Sequence, residues 1–420
     1  MGGAPVNGRS TADSMAIAIV SEHANPLATP GGADGGEPHV RVARLAVALA
    51  GRGHRVTVHT RRDAPGLPDV VPLCEGVEVH HVPAGPACPL TEDELLPHMA
   101  EFGRHLTRVW RIRQPDIVHT HFWMSGLASL RAAGQLGIPL VHTFHALGTV
   151  ARRYEAAGGG ARPADLVVRE TEVGLACDRV IAVCRDEVGE LALMGIPAHK
   201  ISVVPRGVDT DRFTPLGLAA QRGPARYRLL QVGPLAAHKG IAVSIDALTR
   251  LPDTELVVVG GPAAGRLGDD PEVRRLLDLA RDSGVADRVR FTGGVPPAAV
   301  PPLIRSADVV VCPADYEPFG SVPLEAMACG RPVVASAVGG HLDTVADPGT
   351  GRLVPPHSPA ALAHAVGGLL SSPGTRRDCG LSGRRRALTR FAWPRVAAMT
   401  EQAYEAVLVP GEVAPAALLV

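Results

Sequence analysis

Short apolar runs rich in valine and isoleucine alternate with longer amphipathic stretches along most of this chain, and that alternation leaves few folds open. Residues 16–20, 309–312 and 333–335 are apolar at consecutive positions, as strands buried on both faces of a parallel sheet require. Parallel strands must be joined by long crossovers, usually helices, so the intervening amphipathic stretches have a place in the same scheme. The pattern predicts strands at 16–20, 56–59, 77–82, 116–119, 140–144, 179–183 and 201–204. It restarts after a Pro/Gly-containing stretch with strands at 228–232, 255–259, 289–292, 309–312, 333–336 and 352–354. Helices are expected at 40–52, 92–113, 127–136 and 187–193, then at 241–251, 271–283, 322–329, 359–370, 374–389 and 394–407. The expected fold is therefore α/β: two doubly wound, Rossmann-like domains facing a cleft.

The 420 residues fit that division at ~150 residues per domain. The expected boundaries are a disordered tail at 1–14, an N-terminal Rossmann-like domain at 15–205 and a linker at 206–225. A C-terminal Rossmann-like domain at 226–393, a helix at 394–408 and a tail at 409–420 complete the chain. Forty-two basic residues balance 42 acidic ones, which argues against nucleic-acid binding through phosphates. No apolar run approaches the ~18 residues of a membrane span, and residues 1–14 lack the pattern of a signal peptide. The seven cysteines are scattered and form no Cys-x-x-Cys, so a reduced, cytoplasmic protein is expected. A homodimer is compatible with this reading.

In doubly wound sheets ligands bind outside the carboxyl ends of the strands. The loops there are 21–37, 120–125, 145–155, 233–239 and 312–321. The first is glycine-rich (PGGADGGE), so backbone N–H groups could approach a phosphate at the helix that follows. It lacks the Gly-x-Gly-x-x-Gly of a dinucleotide fingerprint and reads equally as a surface loop. The last carries Glu317 and Glu325, eight residues apart across a turn and a helix start. Each carboxylate can accept hydrogen bonds from a sugar's vicinal hydroxyls, and the N–H groups of Gly320, Ser321 and Val322 could receive a phosphate between them. A solvated loop acid and a surface helix acid are the plain alternative, weakened for Glu325 by its strongly apolar helix.

Lys239 stands out because 40 of the 42 basic residues are arginine. It follows Gly233 in GPLAAHKG at an expected helix start, where a cation is unfavourable unless an anion binds. His119, His121 and His145 close two neighbouring strands. A third metal ligand is not placed by sequence, so a polar cleft lining is expected and no metal site. Asp209-Thr210-Asp211 lies in the linker without the strand context of a metal–nucleotide motif.

Together these stretches resemble the retaining family-4 glycosyltransferases of the GT-B fold. The likeness runs from about Ala16 to Tyr404 and is strongest toward the branch containing sucrose-phosphate synthase and the mycothiol-pathway inositol-phosphate glycosyltransferase. It rests on LAVALAGRGH (45–54), TRR (60–62), HTHFWMSG (119–126), TFHALG (143–148), VPRGVD (204–209) and EPFGSVPLEA (317–326). The resemblance implies retaining, metal-independent transfer of a hexosyl group from a UDP- or GDP-sugar to a small-molecule acceptor, with no other cofactor. It implies that His145, Glu317 and Lys239 are catalytic. Gly36, Gly233, Arg206, Phe319, Gly320, Ser321, Val322 and Glu325 would hold the donor with Lys239. His121, Thr143, Arg152 and Arg153 would face the acceptor, the arginine pair receiving a phosphate. A C-terminal helix crossing back to the N-terminal domain is implied as well.

Two positions depart from the pattern. The family's Gly-Gly falls on Gly36-Glu37 when aligned without gaps, and its usual arginine after Gly233 is Pro234. Arg206 or Arg266 could replace the missing cation. A degenerate relative that binds a partner or nucleotide without turnover is the alternative these departures raise, and an epimerase or phosphorylase of the same fold is a third class.

Overall fold

The structure is a computed structural model, and it describes residues 14–27, 37–154 and 165–408. The chain forms two compact units. One comprises residues 1–145, 163–181 and 397–420; the other comprises 146–162 and 182–396.

The first sheet has eight strands: β1 (Ala16–Val20), β2 (Arg55–Arg61), β3 (Val70–Cys74), β4 (Val77–Val82), β5 (Ile117–His121), β6 (Leu140–Thr143), β7 (Arg179–Ala182) and β8 (Ile201–Val203). Their order is β3-β4-β2-β1-β5-β6-β7-β8, parallel in every registered pairing except β3–β4. Strand β3 is absent from the sequence expectation. It contains Pro72, beside an irregularity in its register, and proline is tolerated in a sheet at such an edge. The order reverses direction between β1 and β5, which places the crevice of this unit beyond the ends of those two strands.

The second sheet contains β9 (Tyr227–Val232), β10 (Thr254–Val259), β11 (Val289–Phe291), β12 (Val309–Cys312), β13 (Val333–Ser336) and β14 (Gly351–Val354). It is parallel throughout, in the order β11-β10-β9-β12-β13-β14, and reverses between β9 and β12. Alternate residues feed two separate cores. Leu230, Val257, Val259 and Val310 pack on one face, while Leu229, Leu256, Val258, Val309 and Val311 pack on the other. That two-sided burial is the physical reason for the continuous apolar runs.

The helix expected over 92–113 is broken. A short helix Glu92–Leu95 opens with a capping box, Thr91 N donating to Glu94 at 2.8 Å. A 3₁₀ turn Leu96–His98 follows, and the helix Met99–Ile112 then buries Met99, Phe102, Leu106 and Trp110. Pro97, lacking an N–H, interrupts the run. A helix at Leu166–Ala176, not expected, buries Leu166, Val173 and Gly174. Within the first unit, the end of helix Trp393–Leu408 is tied down by Tyr404, whose hydroxyl meets His119 at 2.8 Å. No helix among the described residues is long and apolar enough to cross a membrane.

Candidate functional site

In the second unit, the loops after β9 and β12 meet at the reversal of strand order. Gln231, buried near the end of β9, donates its amide to the Lys239 carbonyl at 2.8 Å and accepts at its oxygen from Ser244 at 2.7 Å. Asp315 N donates to the His238 carbonyl at 2.8 Å, clipping one loop to the other. Gly240 makes this approach possible. Its φ is +69°, and a Cβ there would lie 1.9 Å from the Pro313 carbonyl oxygen. Across this junction Lys239 Nζ donates to Glu317 Oε2 at 2.8 Å.

Glu317 is half-buried and fully engaged. Oε1 accepts from Gly320 N at 3.1 Å, while Oε2 accepts from Lys239. Burial alone raises a carboxyl pKa, but Lys239, His341 and these hydrogen bonds outweigh it and bring Glu317 down to about 2. Gly320, with φ +89°, turns the chain into the helix Ser321–Ala328. The first N–H groups of that helix have no intrahelical partners and carry its positive pole. Phe319 is buried beneath the turn, with the Arg206 guanidinium 5.4 Å from its ring centre. Glu325 lies one turn into the same helix and is half-buried. Pro234 is exposed, beside Gly233 at φ +148°.

Gly339, Gly340 and His341 complete this cluster and were not singled out in the sequence. Gly340 N donates to the Glu317 carbonyl at 2.8 Å. Side chains at Gly339 or Gly340 would collide with the backbone of Glu317 or Phe319 at 2.2–2.3 Å. His341 is buried with Nδ1 held by the Ser336 carbonyl at 3.0 Å, and burial keeps its pKa below the ordinary value. The signal available was a Gly-Gly directly after an apolar strand, at the ligand-binding end of the sheet.

In the first unit the loops after β1 and β5 meet in the corresponding way. Glu22, 1% exposed, accepts from the Ser125 hydroxyl, and Ser125 Oγ in turn accepts from Glu22 N at 2.9 Å. Its other oxygen binds His23 Nδ1 at 2.8 Å. Burial works against a charged His23 ring, but Glu22 and, further off, Glu92 outweigh it and raise the histidine's pKa. Glu92 accepts from Trp123 Nε1 at 2.8 Å. A continuous row of rings joins this point to the end of β5 and the loop after β6. His23 lies 4.4 Å from Phe122, Phe122 4.7 Å from His145, and His145 5.0 Å from His121.

His121 Nδ1 and His145 Nε2 share a hydrogen bond of 2.7 Å between nearly coplanar rings. Burial, with a lesser contribution from Arg41, lowers His121 to about 3, so it is neutral at pH 7. His145 itself adopts φ +65°, an uncommon conformation for a residue with a Cβ. Thr143 is buried and its hydroxyl bonds His119 Nε2 at 2.9 Å, so that hydroxyl is engaged within the protein. Arg152 and Arg153 lie on the helix Gly148–Tyr154, within the second unit, and Arg153 is ion-paired to Glu190. Gly36 lies outside the described residues, and Glu37 opens the helix Glu37–Ala50. The structure thus brings Lys239, Glu317, Phe319 and Gly320 together in one unit, and His121, Thr143 and His145 at adjacent strand ends in the other.

Two family models match the chain: Glycosyltransferase Family 4 over residues 38–212, and Glycosyl transferases group 1 over residues 221–386. D-inositol 3-phosphate glycosyltransferase from Xylanimonas cellulosilytica is 39% identical over 403 residues, covering 92% of this chain and 96% of that protein. The protein of the same name from Mycobacteroides abscessus is 37% identical, covering 91% of this chain and 87% of its own. Among solved structures, sucrose-phosphate synthase from Thermosynechococcus elongatus matches with a TM-score of 0.79 at 31% identity, covering 93% of this chain and 98% of that one. Anabaena Alr3699/HepE in complex with UDP-glucose shares the fold, with a TM-score of 0.66 at 20% identity.

Proposed function

We infer the reaction from the family: this chain belongs to the family-4 glycosyltransferases of the GT-B fold. The reading is a retaining transfer of a hexosyl group from a UDP- or GDP-sugar to a small polyol acceptor. One observation carries it. The two loops at the reversal of the second sheet present a lysine, a carboxylate kept ionised and the N-terminus of a helix within one cluster.

The donor would replace the Lys239–Glu317 contact. Lys239 then neutralises the diphosphate, whose negative charge grows as its bond to the sugar breaks. Glu317, anionic throughout the physiological range, accepts hydrogen bonds from the sugar's hydroxyls, while backbone N–H groups of the turn and helix start bind phosphate or sugar oxygens. Glu325 accepts from the ribose. The positive charge comes from Lys239 and the helix pole, so the reading needs no metal ion. In the chemical step the acceptor oxygen bonds to the anomeric carbon on the face from which the diphosphate departs. The sugar–diphosphate bond breaks, and the acceptor's proton passes to the departing diphosphate oxygen. His145, which the family resemblance makes catalytic, is held by the His121 ring through a 2.7 Å hydrogen bond.

Calorimetry with UDP and GDP tests the donor side. Lys239→Ala is expected to weaken diphosphate binding about tenfold, roughly 1.4 kcal/mol, with a smaller change for the corresponding nucleoside. Equal losses for both would remove Lys239 from the diphosphate. The anomeric configuration of the product, read by NMR coupling constants, decides retention.

A further inference from the structure

We propose that the first unit carries a docking surface apart from the donor and acceptor residues: a groove between the helices Met99–Ile112 and Trp123–Leu136 that receives an acidic amphipathic helix of a partner protein. The inference is independent of the glycosyl-transfer reading, since that reading uses none of the residues in the groove.

The two helices touch at Gly103, where a Cβ would lie 2.4 Å from the Ala128 carbonyl oxygen. Beside that contact they leave a groove of about 960 Å³. Leu96, Ala100, Gly103, Leu127 and Ala128 give it a small and apolar lining. Arg104, Arg108 and Arg111 line it from one helix and Arg131 from the other. The first three follow one another at spacings of four and three, so they share a face of their helix. Arg169, from the helix Leu166–Ala176, also lines the groove, but it is paired with Asp165 and lies 5.9 Å from the centre of the Trp123 ring.

The charge of the groove is of one sign. Arg104, Arg108, Arg111 and Arg131 have no ion-pair or hydrogen-bond partner among the described residues. No Asp or Glu lines the groove. Glu101, the one acid on Met99–Ile112, is turned onto Gly85 N at 2.9 Å, and Trp123–Leu136 has no acid at all. In a chain whose 42 basic and 42 acidic residues balance, four guanidiniums without a counter-charge are a local excess. Solvated arginines need no partner by themselves. These four surround apolar surface, and an acidic helix with an apolar stripe answers both features at once.

The geometry also separates the possible occupants. Guanidiniums standing on two helices around a trough reach carboxylates on both flanks of an inserted helix, the helix-in-groove mode of recognition. A flat anionic membrane meets the outermost charges and leaves the trough unfilled. Nucleic acid finds no aromatic ring in the lining on which to stack a base. The segments of this chain outside the described residues supply one carboxylate side chain each, Asp13, Asp34, Glu155 and Glu412, too few to answer four arginines. The wall from Leu96 to Arg111 is about 22 Å long at ~1.5 Å per residue, which a partner helix of about 15 residues matches. Ile112, 83% exposed at the end of that wall, extends the apolar contact.

The test uses the full-length protein and a labelled synthetic helix of about 15 residues, with leucine at every third or fourth position and glutamate on both flanks. Fluorescence anisotropy reads its binding beside two control peptides, one with the same residues in scrambled order and one with lysine in place of each glutamate. The acidic amphipathic peptide is expected to bind about tenfold or more tighter than its scrambled isomer, and the lysine peptide not to bind. Arg108→Glu and Arg131→Glu, both at exposed positions, should each weaken it at least about threefold, with the thermal midpoint by circular dichroism unchanged as the check on folding. Equal binding of the scrambled isomer would make the groove a sequence-blind anion surface and overturn the proposal. Binding that survives both charge reversals, or no binding, overturns it as well. Two further arms carry the rival occupants. Phosphatidylglycerol vesicles that bind the protein and displace the peptide would assign the groove to a membrane. A dimer in sedimentation velocity that Arg131→Glu dissolves would assign it to a second copy, and either result sinks the partner helix.

Discussion

The two units solve one topological problem with opposite chemistry. In each, a parallel sheet reverses its strand order and two loops meet over the reversal. In the second unit the loops are locked by backbone, with Asp315 N on the His238 carbonyl and Gly240 against Pro313, and the side chains left in the junction are Lys239 and Glu317. In the first unit the loops are locked by side chains, Ser125 on Glu22, and the junction is lined by Glu22, His23, Glu92 and a row of rings. A backbone lock leaves a charged pair free to exchange partners with a diphosphate. A side-chain lock makes the binding group part of the structure. The first unit should therefore tolerate less change at its carboxylate than the second does at its ion pair.

The largest expected effect comes from breaking the backbone lock. Gly240→Ala places a methyl 1.9 Å from a carbonyl oxygen that cannot rotate away, at a positive φ that alanine disfavours. We expect about 3 kcal/mol of destabilisation by denaturant titration and at least about a tenfold loss of UDP affinity. Wild-type UDP binding in this variant would mean that the two loops need not approach so closely, and the contrast drawn above would fail.

Much of this architecture was legible in the chain. The strands buried on both faces were found, because burial on two sides favours apolar residues along most of each run. Strand β3 was not found, since Pro72 sits inside its short apolar run and the strand is an exposed edge paired on one side alone. The expected helix over 92–113 ignored Pro97, whose missing N–H ended it. At the site, Lys239 and Glu317 were each identified from their place at a strand end. Their contact, spanning 78 positions, belongs to the sheet order and cannot be read from local pattern. The arginine pair was expected to receive a phosphate, yet Arg153 is held by Glu190, a partner 37 positions away that no spacing rule supplies. The histidines were read as cleft lining. The structure shows several of them engaged by one another or by hydroxyls, as His119 is by Tyr404 and Thr143.

The second prediction separates the units by pH. Burial lowers His59, His121 and His142 of the first unit to about 3, from an ordinary value of 6.5. Below pH 6.5 the unfolded chain binds protons that the folded unit refuses, so stability falls as pH falls from 6.5 toward 3. The limit is roughly 1.4 kcal/mol per pH unit for each histidine. In the second unit, burial raises Glu187 from 4.5 to about 7, so acidification from 7 toward 4.5 adds stability there and offsets the loss from the depressed His341. The depressed Glu317 removes stability in that unit only below about 4.5. Hydrogen exchange corrected for intrinsic rates should therefore show residues 117–143 losing protection between pH 7 and 5.5, with residues 227–259 unchanged or better protected. Parallel loss in both units would remove the distinction.

The smallest effect tests whether Glu92 is held in place or merely nearby. Trp123 donates its indole N–H to Glu92 at 2.8 Å while the ring itself is buried. Trp123→Phe keeps most of the apolar contact and deletes the donor, so Glu92 loses its orientation but stays on its helix. An exposed carboxylate that loses one hydrogen bond is rehydrated, and the cost to stability should be no more than about 1 kcal/mol. Denaturant titration measures that cost, and hydrogen exchange should show residues 92–95 losing protection while residues 117–121 keep theirs. A loss well above about 1 kcal/mol, or exchange spreading into residues 117–121, would make the Trp123–Glu92 contact part of the side-chain lock of the first unit.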